Sequence, residues 1–197
     1  ILQTTALDEK QKQELYTTIS EDAQWLISLV ENLLSASRLD QEQLHLILTS
    51  ELMDELINEA LNHVKSRIKN HHLIDEPQDD LLLVKVDPRL MIQVIVNLID
   101  NAIKYTPSDS TIWIRLHEEN QQVVVEVEDK GPGVSDEIKE HVFDMFYTGN
   151  KKTADSQRSL GLGLALCKMI VEVHGGTIGV RDTKDHGALF YFTLLYQ

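Results

Sequence analysis

The sequence has little cysteine and no long apolar run, and both absences exclude classes of protein. Cys167 is the only cysteine among 197 residues, so an internal disulfide framework is excluded and a reducing compartment is favoured. No stretch reaches the ~20 apolar residues that a membrane span needs, and no charged-then-apolar signal peptide opens the chain. We therefore expect no direct membrane contact from this chain, and we expect Cys167 to be a buried helix residue.

Positive charge is also scarce. The chain has 18 Lys and Arg against 32 Asp and Glu, a net charge of −14. Nucleic-acid-binding surfaces are basic, so we expect no nucleic-acid partner. The hydrophobic share of 42% is enough for a core, and the length suits one domain plus an appendage. Because the sequence opens at Ile1 without a methionine, we expect a piece of a longer protein.

The hydrophobic pattern divides the chain near residue 46. From Asp8 to about Asp40 an apolar stripe at helical spacing predicts a long amphipathic helix, typical of a helical hairpin; a long helix packed on its own domain is the alternative. Residues 47–197 mix strands and helices, and the strands come largely in hairpins. That order favours an α+β fold with helices on one face of a mixed sheet. The predicted helices are Glu51–Lys69 with Ser50 as N-cap, Pro88–Tyr105 capped by Asp87, and Leu160–His174.

The helix "LMIQVIVNLIDNAIKY" carries a polar stripe of unusual composition. Asn97, Asn101 and Lys104 step by four and three residues and so share one face. Amide oxygens can coordinate Mg²⁺, which also uses phosphate oxygens, and the lysine can neutralise phosphate charge. The alternative is an ordinary amphipathic helix with a solvated face.

Two further stretches combine glycine with a strand or helix end. Asp129 ends a strand before Gly131 and Gly133, which places a carboxylate at the sheet rim where it can accept a hydrogen bond from an exocyclic amine; an ordinary turn is the alternative. In "SLGLGLALCK", Gly161 and Gly163 precede a predicted helix, and a helix start can bind phosphate. This stretch fits neither the dinucleotide-binding fingerprint nor the Walker loop.

Five motifs occur in an order that identifies a resemblance. They are "NLIDNAIKYTP", "DKGPGV", "FDMF", "SLGLGLAL" and "HGGTI", and together they resemble the histidine-kinase catalytic domain, whose superfamily includes gyrase, MutL and a heat-shock chaperone. The segment Leu29–Asp40 resembles the end of the second helix of the dimerisation and phosphotransfer hairpin. The stretches "FDMFYTGNKK" and "LGLALCK" are similar to potassium-responsive sensor kinases of the Kdp type.

The resemblance implies a Bergerat-type α/β sandwich that binds ATP and Mg²⁺ between its helices under a flexible lid. It implies that Asn101 holds Mg²⁺ with Asn97 assisting. Lys104 would face the phosphates, and Tyr105 would pack beside the nucleotide. Residues 1–46 would be the end of the hairpin, and residues 47–197 the catalytic domain.

The resemblance also assigns the adenine pocket. Asp129 would accept the adenine amino group, and Gly131 and Gly133 would shape the pocket around the ring. Thr193 would support Asp129 through a water from the neighbouring strand.

The lid and the phosphate loop receive roles from the same resemblance. Phe143 and Phe146 would anchor the lid. Three cationic side chains of the lid would lie near the γ-phosphate: Lys151, Lys152 and Arg158. The alternative is that they are ordinary solvated charges of a loop. The phosphates would accept hydrogen bonds from the backbone amides of Gly161, Leu162 and Gly163.

Asn97 bears on the reaction type. In the gyrase and MutL relatives a glutamate at this position activates water, whereas an amide has no useful basicity. The resemblance therefore implies transfer of the γ-phosphoryl group to a histidine, and onward to an aspartate of a response-regulator receiver domain. A gyrase-like ATPase, marked by steady phosphate release, and a regulatory scaffold that has lost turnover are the alternatives. The whole protein would be a homodimer through its hairpin, and this chain the cytoplasmic part of a membrane-anchored bacterial sensor kinase.

The sequence departs from the family pattern at two places. The acceptor motif, His-Glu/Asp-x-Arg-Thr-Pro, is absent, because none of the four prolines follows a histidine at that spacing. We expect the acceptor histidine to precede Ile1. Thr148 stands where many relatives carry an arginine.

We predict that this chain, incubated with ATP, does not phosphorylate itself, because it has no histidine in the acceptor context. Labelling with γ-³²P-ATP checks this, with a kinase that carries its own acceptor histidine as the positive control. A stable, acid-labile phosphohistidine on this chain alone would contradict the interpretation.

Overall fold

The computed structural model describes residues 46–68, 70–76, 81–148, 161–183 and 187–196, and nine isolated positions between 8 and 23. It contains helices α1 (Met53–Val64), α2 (Pro88–Tyr105), α3 (Asp136–Lys139) and α4 (Gly163–Val173). Its strands are β1 (Thr49–Leu52), β2 (His72–Glu76), β3 (Leu83–Val86), β4 (Thr111–Glu119), β5 (Gln122–Glu128), β6 (Thr177–Asp182) and β7 (Ala188–Leu195).

Five of the strands form one mixed sheet. Their order is β2-β4-β5-β7-β6; β2 runs parallel to β4, and the other neighbours are antiparallel. The predicted α+β class is therefore confirmed. Strands β2 and β3 follow one another in the chain but do not pair with each other. Instead β3 pairs with β1 in a separate two-stranded sheet.

The helices cover one face of the five-stranded sheet. On β4 the residues Ile112, Ile114 and Leu116 are buried, and Trp113 and Arg115, which alternate with them, are only half-buried. This period-two pattern is that of a sheet with one face in the core. The buried residues of α1, α2 and α4 join the same core cluster as these strand residues.

Helix α2 forms where the sequence predicts it. Asp87 accepts a hydrogen bond from the backbone N–H of Arg89 at 3.2 Å, and Pro88 is the first helical residue, an arrangement pre-organised for a helix start. The helix ends at Tyr105, two residues before Pro107. The buried residues of α2 recur at helical spacing: Met91, Val94, Ile95, Leu98, Ile99 and Ala102. Burial of each large apolar side chain stabilises the fold by about 1.5–3 kcal/mol.

Several predicted boundaries are corrected. Ser50 does not cap α1, because it lies in β1 and pairs with Lys85; the N-cap is Leu52, and α1 ends at Val64 rather than Lys69. The β4–β5 turn is formed by Asn120 and Gln121, both with positive φ. The helical pattern of the sequence predicts a longer α1. Its first predicted residues, Glu51 and Leu52, instead lie in β1 and pair with β3.

The N-terminal helix is described only at its beginning. The described positions from Glu9 to Ala23 are helical. Asp8 accepts a hydrogen bond from the backbone N–H of Gln11 at 2.7 Å, and its own N–H donates to the Gln11 side chain at 3.1 Å, a reciprocal cap. The segment Leu29–Asp40 lies outside the described residues, so the hairpin and the division at residue 46 stay predictions.

The described part of the chain holds no helix with the length and apolar character to cross a bilayer. Cys167 is fully buried in α4, as predicted. Burial raises the pKa of its thiol to about 12, so the reactive thiolate is not formed near neutral pH. Cys167 is thus a packing residue of the core.

Asp87 is a buried carboxylate, 1% exposed, at the junction of three segments. Besides capping α2 it accepts a hydrogen bond from the backbone N–H of Ile47 at 3.2 Å. Burial opposes the charged form, but the hydrogen bonds from Ile47 and Arg89 outweigh it and hold the pKa of Asp87 below its usual value. Its charged form therefore stabilises the fold.

We predict that Asp87→Ala lowers the free energy of unfolding by about 1–2 kcal/mol, because α2 loses its cap. The lowered pKa means that this contribution is full above the unfolded-state pKa of ~3.9 and is lost as pH falls through the lower folded-state value. Urea unfolding at pH 7 and at pH 3 measures both effects. Asp87→Asn is the comparison variant: its amide oxygen keeps the cap to Arg89, its NH₂ cannot accept from Ile47, and the pH dependence is lost. Equal stability of wild type and Asp87→Ala would contradict the assignment.

Candidate functional site

The end of α2 and the start of the β5–α3 loop meet at the rim of the sheet. A Cβ on Gly131 would lie 2.8 Å from the carbonyl oxygen of Tyr105 and 2.8 Å from Oδ1 of Asp129. These contacts are shorter than van der Waals distance, so only glycine fits. The structure thus brings together Tyr105, Asp129 and Gly131, three predicted site residues.

Asp129 is held in place by backbone donors and is 4% exposed. Its Oδ1 accepts hydrogen bonds from the N–H of Gly131 at 2.7 Å and of Ala188 at 3.4 Å. Burial raises the pKa of Asp129, and the negative charge of the nearby Glu128 raises it further. The two hydrogen bonds oppose this rise but do not cancel it. Among the described residues the donors to this carboxylate bind Oδ1, so Oδ2 is the oxygen suited to a ligand N–H donor.

The polar face of α2 presents amide groups. Asn97 and Asn101 are half-buried, and among the described residues the buried Nδ2 of Asn97 has only the Cys167 sulfur, a weak acceptor, as a partner. A ligand or water acceptor would satisfy this donor better. Farther along, the exposed Lys104 holds its Nζ 5.2 Å from the ring centroid of Tyr105. Amides, a cation and an aromatic ring therefore follow one another along this stripe.

Asp100 belongs to the same polar stripe in the sequence but points elsewhere. Its Oδ2 lies 3.1 Å from Nη1 of Arg67, just beyond α1. Burial raises the pKa of Asp100 to about 6, and the charge of Arg67 opposes this rise. Asp100 is therefore part of the α1–α2 contact, and it leaves the ligand-facing positions to the asparagines.

Gly161 closes the base of the segment between residues 146 and 161. Its φ is +65°, and a Cβ there would lie 2.4 Å from the carbonyl oxygen of Tyr147. The N–H of Phe146 donates to the Gly161 carbonyl at 3.0 Å, and Phe146 itself has a φ of 64°. Gly161 is thus required for close backbone approach at the foot of the predicted lid.

Gly163 has a different environment. It is the first residue of α4, whose N-cap, Leu162, provides no side-chain hydrogen bond. A Cβ on Gly163 would meet nothing within 4 Å. Among the described residues nothing fills the space at this uncapped helix start, whose first N–H groups and positive dipole end suit an anion.

The predicted contact between Thr193 and Asp129 is wrong. Thr193 does not lie beside Asp129: it pairs with Val124 on β5, and its hydroxyl bonds that of Thr177 at 2.9 Å. The β7 residue beside Asp129 is Ala188, five positions and about 17 Å along the strand. The antiparallel register decides this placement.

Phe146 does not anchor the lid by its side chain, which is 66% exposed; its backbone supplies the contact to Gly161. Phe143 does pack inward, edge-on to Phe190 with ring centroids 6.3 Å apart. Gly133, at φ 73°, supplies the left-handed conformation in the Asp129 loop. The predicted lid cations Lys151, Lys152 and Arg158 lie outside the described residues.

Gly187 and Ala188 are site residues that sequence reasoning missed. A Cβ on Gly187 would lie 1.8 Å from the carbonyl oxygen of Asp129, and Ala188 donates to the Asp129 carboxylate. The available signal was the glycine directly before the last strand, "HGALF". Sequence spacing alone does not show which strand faces Asp129.

A buried rim carboxylate, an amide-bearing helix and an uncapped helix start on an α+β frame define an ATP-binding catalytic domain. The family described as histidine kinase-, DNA gyrase B-, and HSP90-like ATPase matches residues 86–197. The chain belongs to this family, and it carries a histidine kinase ATPase catalytic domain, as the sequence motifs predict.

Relatives of known role support this assignment. The sensor protein KdpD of Clostridium acetobutylicum is 43% identical over 95% of this chain and 21% of its own length. The adaptive-response sensory kinase SasA of Gloeothece citriformis is 36% identical over 93% of this chain and 47% of its own. The chain thus spans less than half the length of these relatives. The predicted similarity to Kdp-type kinases is confirmed.

A solved structure shows the same fold. Histidine kinase ThkA, in complex with response regulator protein TrrA, is 28% identical with a TM-score of 0.74, over 95% of this chain and 52% of that one. The likeness extends the family assignment from sequence to architecture.

We predict opposite effects for two glycine substitutions. Gly161→Ala lowers the free energy of unfolding by more than about 1 kcal/mol, because a Cβ is strained at positive φ and meets the Tyr147 backbone. Gly163→Ala leaves stability unchanged or slightly higher, since alanine favours a helix, but weakens ATP binding by filling the open space. Urea unfolding and calorimetry measure the two effects. Gly161→Ala as stable as wild type, or Gly163→Ala with unaltered affinity, would contradict these roles.

Proposed function

We propose that this chain is the catalytic part of a two-component sensor kinase that transfers the γ-phosphoryl group of ATP to a histidine outside the chain. The observation that carries the proposal is Asp129. A buried carboxylate whose backbone donors engage Oδ1 is suited to receive the adenine amino group at Oδ2. Gly131, Gly133 and Gly187 bring the backbone close enough to form a flat pocket wall beside it.

The phosphates would lie at the start of α4. The N–H groups of the first turn, beginning at Leu162 and Gly163, would bind them, and Lys104 on α2 would neutralise part of their charge. Lys151 and Arg158 would approach the γ-phosphate from the lid. This arrangement acts by positioning and charge neutralisation, the main demands of phosphoryl transfer.

Mg²⁺ fits the donor set on α2. The amide oxygens of Asn101 and Asn97 are hard ligands of the kind Mg²⁺ takes alongside phosphate oxygens. Asn101 would hold the ion with Asn97 assisting. When bound, Mg²⁺ would neutralise charge on the phosphates.

Asn97 favours transfer over hydrolysis. An amide cannot take a proton from water, so the site would orient ATP without activating that competitor. The acceptor imidazole would then form the P–N bond while the bond from the γ-phosphorus to the bridging oxygen breaks and ADP leaves. Asn97 would thus preserve the phosphoryl group for the histidine.

The rest of the signalling route is proposed from the relatives. The alignment to KdpD covers 95% of the chain, so it extends into residues 1–46, which we assign to the end of the dimerisation hairpin of a homodimer. ThkA was solved with a response regulator, which supports a receiver domain as the final phosphoryl acceptor. We place this chain on the cytoplasmic side of a membrane-anchored kinase.

We predict that Asp129→Asn weakens binding of ATP about tenfold or more. The asparagine can keep its oxygen toward Gly131, but it then turns an NH₂ donor toward the adenine amino group. Stability at neutral pH is not lowered, since the raised pKa of Asp129 means that its charged form costs stability. In the wild type this cost disappears as pH falls from the folded-state pKa toward the unfolded-state value.

Calorimetry with ATP and Mg²⁺ measures the affinity, and urea unfolding measures the stability. Asp54→Asn is the control: this carboxylate lies exposed in the first turn of α1, away from every predicted site residue. If the wild type does not bind ATP, or if Asp129→Asn binds ATP as tightly as the wild type, the proposed function is wrong.

A further inference from the structure

His174 joins α4 to α2 at the end of both helices that is far from the site. Its Nδ1 lies 2.7 Å from the carbonyl oxygen of Ile170, within α4, and its Nε2 lies 3.0 Å from the backbone N of Asp87. A carbonyl can only accept and an amide N–H can only donate. These contacts place a proton on Nδ1 and the lone pair on Nε2.

The partner of this ring is itself held firmly. Asp87 is buried, caps α2, and accepts a further hydrogen bond from the backbone of Ile47. The His174–Asp87 hydrogen bond therefore connects the C-terminus of α4 to a fixed point at the N-terminus of α2. We call this hydrogen bond the far joint.

A second contact lies two helical turns from the far joint. The thiol of Cys167 donates to the carbonyl of Val94 at 3.8 Å. Cys167 precedes His174 by seven residues and Val94 follows Asp87 by seven, so the two helices run antiparallel in step. Seven residues correspond to about 10.5 Å of helix.

From this middle contact the same spacing leads to the site on α2, where Asn101 lies seven residues beyond Val94. On α4 the spacing is shorter: Gly163, where the helix begins, lies four residues before Cys167. Because a helix is stiff over this length, tilting of α4 about the middle contact would turn a shift at the far joint into a shift of roughly half that size, in the opposite direction, at the start of α4.

We propose that His174 is a positioning residue for the nucleotide site: by bonding Asp87 it sets the separation between Asn101 and the start of α4. This inference rests on the proposed function, since the nucleotide phosphates and their metal would occupy that separation. Displacements near 1 Å matter there, because phosphoryl transfer depends on placement.

The simpler role, a C-terminal cap of α4, needs only the bond from Nδ1 to Ile170. Two substitutions separate the roles. In His174→Asn the amide nitrogen can replace Nδ1 and keep the bond to Ile170, but the side chain is too short to accept from Asp87. In His174→Gln the amide oxygen can reach the position of Nε2 and keep the far joint.

The test measures binding of ADP with Mg²⁺ to the 197-residue chain by calorimetry, and unfolding in urea without nucleotide. His174→Asn is expected to weaken binding about threefold to tenfold, and His174→Gln to stay within about twofold of the wild type. Arg181→Gln is the control for general destabilisation, because Arg181 stacks on the ring of Tyr191 at 4.1 Å, on the face of the sheet opposite the two helices. It is expected to lose stability with unchanged affinity.

A second measurement needs no substitution. Coupling between two sites is reciprocal, so Mg²⁺–ADP is expected to slow hydrogen exchange of the Asp87 amide, about 20 Å along α2 from Asn101. This readout keeps the test decisive if His174→Asn does not fold.

Three results would overturn the positioning role: equal affinity in wild type and both variants, equal weakening in both variants, or no change in Asp87 exchange on binding. A wild-type chain that binds no nucleotide would fail earlier, at the proposed function, and would remove the positioning role with it. The two failures are therefore distinguished by the wild-type titration.

Discussion

The packing of α2 between the sheet and its neighbouring helices is the constraint on which both the core and the site depend. Its buried residues, from Met91 to Ala102, are in the same cluster as strand residues such as Ile114 and helix residues such as Leu166. Rotation of α2 about its axis would expose this surface, at a cost of about 25 cal/mol for each Å². The hydrophobic face therefore fixes where Asn97 and Asn101 point.

Two buried aspartates show how the same chemical group serves two purposes. Asp87 receives donors from two segments, and its pKa lies below the usual value, so its charge holds Ile47 to α2, while its backbone N–H bonds His174 at the end of α4. Asp129 is buried with fewer donors, and burial raises its pKa. A carboxylate left short of donors in the folded protein is one that a ligand donor can satisfy. The balance of burial and donors thus separates the structural aspartate from the binding one.

The glycines divide in a similar way. Gly131, Gly161 and Gly187 are required by backbone atoms of the protein itself, since a Cβ would overlap a neighbouring carbonyl. A Cβ on Gly163 would meet no such atom. The space beside Gly163 lies at the start of α4, where the phosphates are proposed to bind. Motif glycines that look equivalent in a sequence therefore serve either the fold or the ligand.

Sequence by itself determined the features that depend on near neighbours. Asp87-Pro88 specifies the start of α2, and the stripe of Asn97, Asn101 and Lys104 follows from helical spacing, before any tertiary contact is known. These patterns, with the motif order, were enough for the fold class and the family.

Tertiary structure alone decided what depends on pairing between distant segments. It placed Ala188 rather than Thr193 beside Asp129, took Ser50 from a helix cap into β1, and turned the side chain of Phe146 outward. The physical reason is that spacing along the chain fixes the face of a residue within its own helix or strand. Strand register and helix contacts across the core fix which face it meets, and these arise only when the whole domain packs.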